Sequence, residues 1–257
     1  MKDTVNGYVH AATLDGITTI EFFHPQSNSL PRRILESLAT EINTAGKDKN
    51  TVVIILRSGG EKAFCAGASF DELSNIENEK QGFHFFSGFA HVINAMRTCP
   101  KLIVARIQGK CVGGGVGLAA AADYAIAVEG ADVKLSELAV GIGPFVVGPV
   151  IERKMGTAAF GQLAVDAATW RKADWAWRNN LFAELHPAKE RMDEAILRLA
   201  TTLAQTSPEA MKEVKNMLWS GTENWNDLLS QRAKISGRLV LSKFTKEAIA
   251  KFKTKAS

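Results

Sequence analysis

Cysteine is scarce in this chain of 257 residues: Cys65, Cys99 and Cys111 are odd in number and scattered. No two stand at metal-ligand spacing. A disulfide framework and a zinc module are therefore not expected, and a reducing compartment, the cytoplasm, is the expected location. The five histidines, His10, His24, His84, His91 and His186, show no ligand spacing with one another or with cysteine, so no metal is expected. No serine sits in a G-x-S-x-G elbow, which removes a hydrolase nucleophile of that type. The opening "MKDTVNGYVHAATLDG" contains no apolar stretch of the secretory kind. No run approaches the roughly 20 apolar residues of a membrane helix. The least polar stretch, 111–128, is interrupted by Asp123 and crowded with glycine, and reads as buried in protein. Excess charge is lacking too. The 31 basic and 27 acidic residues leave +4, too little and too dispersed for a nucleic-acid partner, though it favours an anionic ligand. There is no low-complexity linker and no repeat of the solenoid kind.

What is present is a globular composition, 46% apolar and 23% charged, in a chain long enough for a large core with an appendage. Two strands flank the turn signal Asp15-Gly16. Apolar Leu30, Ile34, Leu38 and Ile42 predict a helix that stops near Gly46. "TVVIILRSGG" and "KLIVARIQG" read as buried strands. Between them lie a loop, an acidic segment "DELSNIENEK" and a helix from Phe83. "GGVGLAAAADYA" reads as a helix and "YAIAVEGADVKLSE" as two short strands. Two helical stretches follow, and from about Met192 amphipathic helices succeed one another with caps at Ser207-Pro208 and Thr222. The expected class is α/β over 1–191 and all-helical over 192–257, ending in a basic tail. The five tryptophans fall late in the chain and read as packing or subunit contacts.

Three loops could carry chemistry. Gly113-Gly114-Gly115 opens an apolar helix after a strand, although each glycine costs a helix about 1 kcal/mol. Gly115-x-Gly117-x-x-Ala120, with Glu129 beyond it, formally matches a dinucleotide fingerprint. Close helix–sheet packing explains the same glycines. A second loop, Ala66-Gly67-Ala68, also follows a buried strand and would offer backbone N–H groups, so two loops could converge on one oxyanion. Glu137, flanked by apolar residues, would be partly desolvated, with a pKa raised toward the range useful for proton transfer. From these residues alone, a surface glutamate capping the next segment accounts for it better.

The strings "AFCAGASFDEL", "KLIVARIQGKCVGGGVGLAAAADYAIA" and "VKLSELAVGIGPF", in this order and spacing, resemble the crotonase superfamily of enoyl-CoA hydratases and isomerases. The resemblance covers nearly the whole chain. It implies a spiral of strand-strand-helix turns with a C-terminal helical region that builds trimers or dimers of trimers. It also implies an acyl-CoA thioester substrate, with coenzyme A as part of the substrate and no further cofactor. Carried across, Ala68 and Gly114 match the two N–H groups that hold the thioester oxygen. Ala66 matches a position lining the adenine site, and Lys255 is placed toward the coenzyme A phosphates. Glu137 matches one of two catalytic glutamates, and Asp123 matches an aspartate of structural role.

Two departures bear on mechanism. Where hydratases resembling this chain carry a second glutamate, in "GGGxE", this chain has Gly117. After the proline of the third motif it has Phe145, so Gly117 and Phe145 are expected to shape the acyl pocket. Hydration uses two carboxylates, whereas moving a double bond needs one base. The expected activity is therefore enoyl-CoA isomerisation with Glu137 as single acid/base, as in the mitochondrial-type enoyl-CoA isomerases. The alternatives are hydration of an enoyl-CoA, such as the branched 3-methylglutaconyl-CoA, with Asp71 or Glu72 as second group, and a non-catalytic acyl-CoA-binding protein.

Overall fold

The Asp15-Gly16 turn is where expected, with both residues at positive φ (50° and 80°), the geometry a two-residue hairpin requires. It joins β1 (Tyr8–Leu14) to β2 (Ile17–Phe23) in this computed structural model, which describes the backbone of residues 3–256 and side chains as far as residue 251. From β2 onward the main sheet is parallel. Its order is β1-β2-β3-β5-β7-β9, with β3 at Val53–Ser58, β5 at Leu102–Ile107, β7 at Tyr124–Val128 and β9 at Glu184–His186. Ile54, Leu56, Ile103, Val104 and Ile126 are buried, as parallel strands covered on both faces must be.

A second, smaller sheet lies beside the first. Each long strand is followed by a short one: β4 (Ala63–Cys65) after β3, β6 (Lys110–Val112) after β5, and β8 (Val133–Lys134) after β7. The short strands pair in parallel, in the order β4-β6-β8. Helices complete the turns. These are α1 (Arg32–Lys47), the short α2 (Phe70–Ser74) with α3 (Glu79–Thr98), α4 (Gly114–Ala121), and α5 (Gly148–Val165) with α6 (Ala173–Arg178). The result is the expected spiral of strand-strand-helix turns.

Several boundaries differ from expectation for local reasons. The acidic segment is not one loop. Ser69 caps α2 by accepting from the Glu72 N–H (3.3 Å), and Asn78 caps α3 by accepting from Gln81 (3.0 Å), so α3 starts before Phe83. Gly156 adopts φ 80° and breaks α5. Thr222 is not a helix cap: its hydroxyl donates to the Trp219 carbonyl (2.6 Å), and α9 begins beyond Asn224.

The last helices are α7 (Lys189–Ala204), α8 (Pro208–Leu218), α9 (Trp225–Leu239) and α10 (Lys243–Ala256). Ser207 caps α8 as expected. The change at residue 192 is one of composition, because the main core runs on through Met192, Ile196, Leu229 and Ala233. α9 crosses α3 at backbone contact: a Cβ on Gly82 would lie 2.6 Å from the Gly237 carbonyl oxygen. No described helix is long and apolar enough to cross a membrane.

A buried ion pair ties α8 to the sheet. Asp123 Oδ2 accepts from the Ile103 N–H and from Lys215 Nζ (both 2.7 Å), and its Oδ1 accepts from the Trp219 indole (2.9 Å). Lys215 Nζ also donates to the Lys101 carbonyl (3.0 Å). The Asp123 and Lys215 side chains are only 5% and 2% exposed, so losing one partner strands the other charge away from water. Asp123→Ala is expected to lose about 3–5 kcal/mol of stability in urea unfolding. Adding Lys215→Met should recover part of that loss.

Candidate active site

The order of the small sheet assembles the site. β4, β6 and β8 lie side by side, with Cys65 level with Cys111 and Val112 level with Lys134. Their C-terminal ends therefore deliver the segments 66–68, 113–115 and 135–143 to one edge. The Gly113 N–H donates to the Lys134 carbonyl (2.9 Å), which ties the second segment to the third.

The loop after β4 is pinned on one side only. Leu30 N–H donates to the Gly67 carbonyl (2.7 Å), Ser69 N–H to the Leu30 carbonyl (2.9 Å), and Ser29 Oγ to the Ala68 carbonyl (2.9 Å). Gly67 sits at φ 91°, and a Cβ there would meet the Val112 carbonyl oxygen at 3.1 Å and Gly114 N at 3.7 Å. The two loops are thus in direct contact. Among the described residues neither the Ala68 nor the Gly114 N–H has a hydrogen-bond acceptor. Gly114 is the first residue of α4, where helical N–H groups lack partners and the helix dipole is positive. The structure therefore brings Ala68 and Gly114 together as free donors on adjoining loops.

The glycine run serves this approach. A Cβ on Gly115 would stand 2.2 Å from the Cys65 carbonyl oxygen, and one on Gly114 would enter the Phe89 ring. Gly113 adopts φ 52°, and a Cβ there would come 2.8 Å from Glu137 Oε1. The same contacts remove the dinucleotide reading. Gly115 and Gly117 are pressed on Cys65 and Val147 rather than lining an open cradle.

Glu137 follows β8 and precedes a single 3-10 turn, Leu138–Val140. It stands at the N-cap of that turn, but its side chain makes no capping bond; its carbonyl accepts from Val140 (3.2 Å) and Ile142 (3.0 Å) and anchors a tight loop. The residue as a whole is partly exposed, yet its carboxyl is shut away, and Oε2 has no hydrogen-bond partner among the described residues. Burial without a counter-charge pushes the carboxyl up to about 7, opposed only by its own N–H. The loop is covered from outside. Gly141, at φ 79°, receives Phe244 and Thr245 of α10, and Ile142 is buried with Val240 and Ile249 against Phe70, Leu73 and Ile76.

A family model described as enoyl-CoA hydratase/isomerase matches residues 12–256. The chain belongs to this family. A Mycobacterium tuberculosis protein named (7aS)-7a-methyl-1,5-dioxo-2,3,5,6,7,7a-hexahydro-1H-indene-carboxyl-CoA hydrolase is 28% identical over 208 residues, 79% of this chain and 80% of that one. A Bacillus subtilis protein named "Probable enoyl-CoA hydratase" is 27% identical over 92% of both chains. The crystal structure of enoyl-CoA hydratase from Bacillus halodurans superposes with a TM-score of 0.87, covering 95% of this chain and 99% of that one; at 21% identity it shows the shared fold.

The remaining expected positions fall as follows. Ala66 lies on the donor loop, half-buried, with its N–H on the Asn28 carbonyl (3.2 Å). Phe145 is half-buried, and its ring covers Gly143. The Lys255 side chain lies outside the described residues. Asp71 accepts from Gln26 Nε2 (2.9 Å), and Glu72 accepts from the Arg32 N–H at the start of α1 (2.9 Å), so both carboxylates are engaged elsewhere. Sequence reasoning missed Val147, 4% exposed, and Phe89, 6% exposed; each fills the space over a glycine of α4. A cavity of about 360 Å³ opens at the other end of α4, between Ala122, Arg153, Lys154 and Trp219, away from Glu137.

The raised Glu137 pKa has a stability consequence. Unfolded, the carboxyl releases its proton near 4.5; folded, it holds the proton to about 7. Between these values the folded state binds more protons, so stability falls as pH rises and levels off above about 7. The difference corresponds to about 3 kcal/mol. Glu137→Gln cannot ionise. Urea unfolding should find it more stable than wild type at pH 8, by up to about that amount, with the gap closing as pH falls toward 4.5.

Proposed function

We propose that the chain acts on an acyl-CoA thioester and moves its carbon–carbon double bond from the 3,4 to the 2,3 position, with Glu137 as single acid/base. The observation that carries this reading is at Gly117. Position 117 bears no carboxylate, and Val147 stands where one would project, so Glu137 works without a second acid. The Glu137 carboxylate takes a proton from C2, and the electron pair passes into the thioester carbonyl. The resulting enolate oxygen is held by the Ala68 and Gly114 N–H groups, at the positive end of α4. The same carboxyl then returns the proton to C4, leaving the C2–C3 double bond. A carboxyl held near 7 is suited to both halves of this transfer.

Hydration is the second reading, and the name of the Bacillus subtilis relative supports it. Adding water calls for a second group opposite Glu137. The two carboxylates of the neighbouring loop, Asp71 and Glu72, already bond Gln26 and Arg32. The proposal extends to assembly as a trimer or dimer of trimers, supported by the exposed Val214, Met217 and Leu218 on α8.

With a 3-enoyl-CoA the protein is expected to generate the absorbance of a conjugated enoyl thioester. Glu137→Gln should lower that rate by at least about 10²-fold. Full activity in this variant overturns the mechanism. The wild-type rate should rise with pH through about 7, as the carboxyl loses its proton and becomes a base. Consumption of a 2-enoyl-CoA with no action on the 3-enoyl isomer would favour hydration.

A further inference from the structure

The isomerase reading leaves open what keeps water from the intermediate, and the following inference rests on that reading. Position 117 is not simply empty. A Cβ there would lie 2.6 Å from Val147 Cγ1 and 2.9 Å from Val147 Cβ, so even alanine does not fit without movement. We infer that Val147 determines the choice between moving a double bond and adding water. Its isopropyl group fills the space beside the Glu137 carboxyl where a second acid and its water would stand.

Three observations carry this. Gly117 N–H donates to the Gly113 carbonyl (3.3 Å), so the two α-carbons are one helical turn apart. The Glu137 carboxyl rests on the first and Val147 on the second, so both lie against the start of α4. Val147 is also held in place. It caps α5, its carbonyl accepts from Ile151 (3.1 Å), and the next residue donates from the Gly148 N–H to the Pro144 carbonyl (2.7 Å). Finally, Glu137 Oε2 is buried without a hydrogen-bond partner among the described residues.

The chemistry follows from that contact. In hydration a water oxygen bonds to C3 while the C2–C3 π bond breaks and a proton reaches C2. One group must take the water's proton and another must place the water. An isopropyl group does neither, and it occupies the volume. Proton transfer from C2 to C4 needs only the one carboxyl, so Val147 leaves that path open and closes the other.

The test uses four variants in water labelled with heavy oxygen: Val147→Ala, Val147→Gly, Gly117→Glu, and Gly117→Glu with Val147→Gly. Each is given a 2-enoyl-CoA and a 3-enoyl-CoA, and products are identified by mass. Gly117→Glu alone should form labelled 3-hydroxyacyl-CoA only slowly. The double variant should form it on the order of 10²-fold faster, and Val147→Ala and Val147→Gly, which have no second acid, should form none. Equal hydration by Gly117→Glu and the double variant overturns the inference, as does a folded, acyl-CoA-binding double variant that never hydrates. If the glutamate variants do not fold, a stability cycle with Gly117→Ala decides. The substitution should be costly beside Val147 and tolerated beside Val147→Gly, and additive effects overturn the inference. These outcomes turn on residue 147. The isomerase reading itself fails separately, if wild type leaves 3-enoyl thioesters unchanged.

Discussion

The distance at which α4 begins against β4 governs the site. Gly115 lies so close to the Cys65 carbonyl that a Cβ would stand 2.2 Å from it, and this contact sets how far the Gly114 N–H reaches toward the Ala68 loop. Move the helix out by one methyl group and the Gly114 N–H draws away from the Ala68 loop. The glycine run costs helix stability, and the chain accepts that cost where backbone must meet backbone. The parallel order β4-β6-β8 then places Glu137 on the same spot from the other side. The same packing that needs the glycines leaves the Gly114 N–H without a partner beside the Ala68 loop.

The two ends of α4 are built for opposite purposes. At its start the N–H groups are left free and a carboxyl is buried without a partner, at a cost of about 3 kcal/mol once ionised. At its end charged groups are paired with the backbone and with one another. Lys154 donates to the Ala122 and Asp123 carbonyls, and the Asp123 side chain takes up Ile103, Lys215 and Trp219. A short helix with one end uncompensated is held from the other. That division explains why an aspartate in the middle of an apolar stretch is tolerated, since it anchors the backbone and the C-terminal helices together.

Much of this was legible in the sequence, because long buried strands and amphipathic helices write their period into it. The hairpin turn at Asp15-Gly16, the strands β3 and β5, and the Ile34-Leu38-Ile42 face of α1 are of that kind. The short strands β4 and β6 have three residues each, fewer than any periodicity needs, so of the small sheet only β8 was read as a strand, although that sheet sets the site. The starts of α2 and α3 depend on single side-chain caps, Ser69 and Asn78, inside a stretch whose charge reads as loop. Glu137 stood out only through its neighbours and the family resemblance. Its partnerless carboxyl depends on contacts between distant segments. Val147 carries no local signal at all, because its meaning lies in a glycine thirty positions earlier.

The cover over Gly141 gives the site a history as well as a shape. Phe244 and Thr245 belong to the last helix of the chain, while the turn they press upon was made far earlier. A chain made only as far as α9 lacks both residues, and its turn at Gly141 lies open on that side. The cover over the Glu137 loop is thus supplied across the chain, by a segment that belongs to neither sheet.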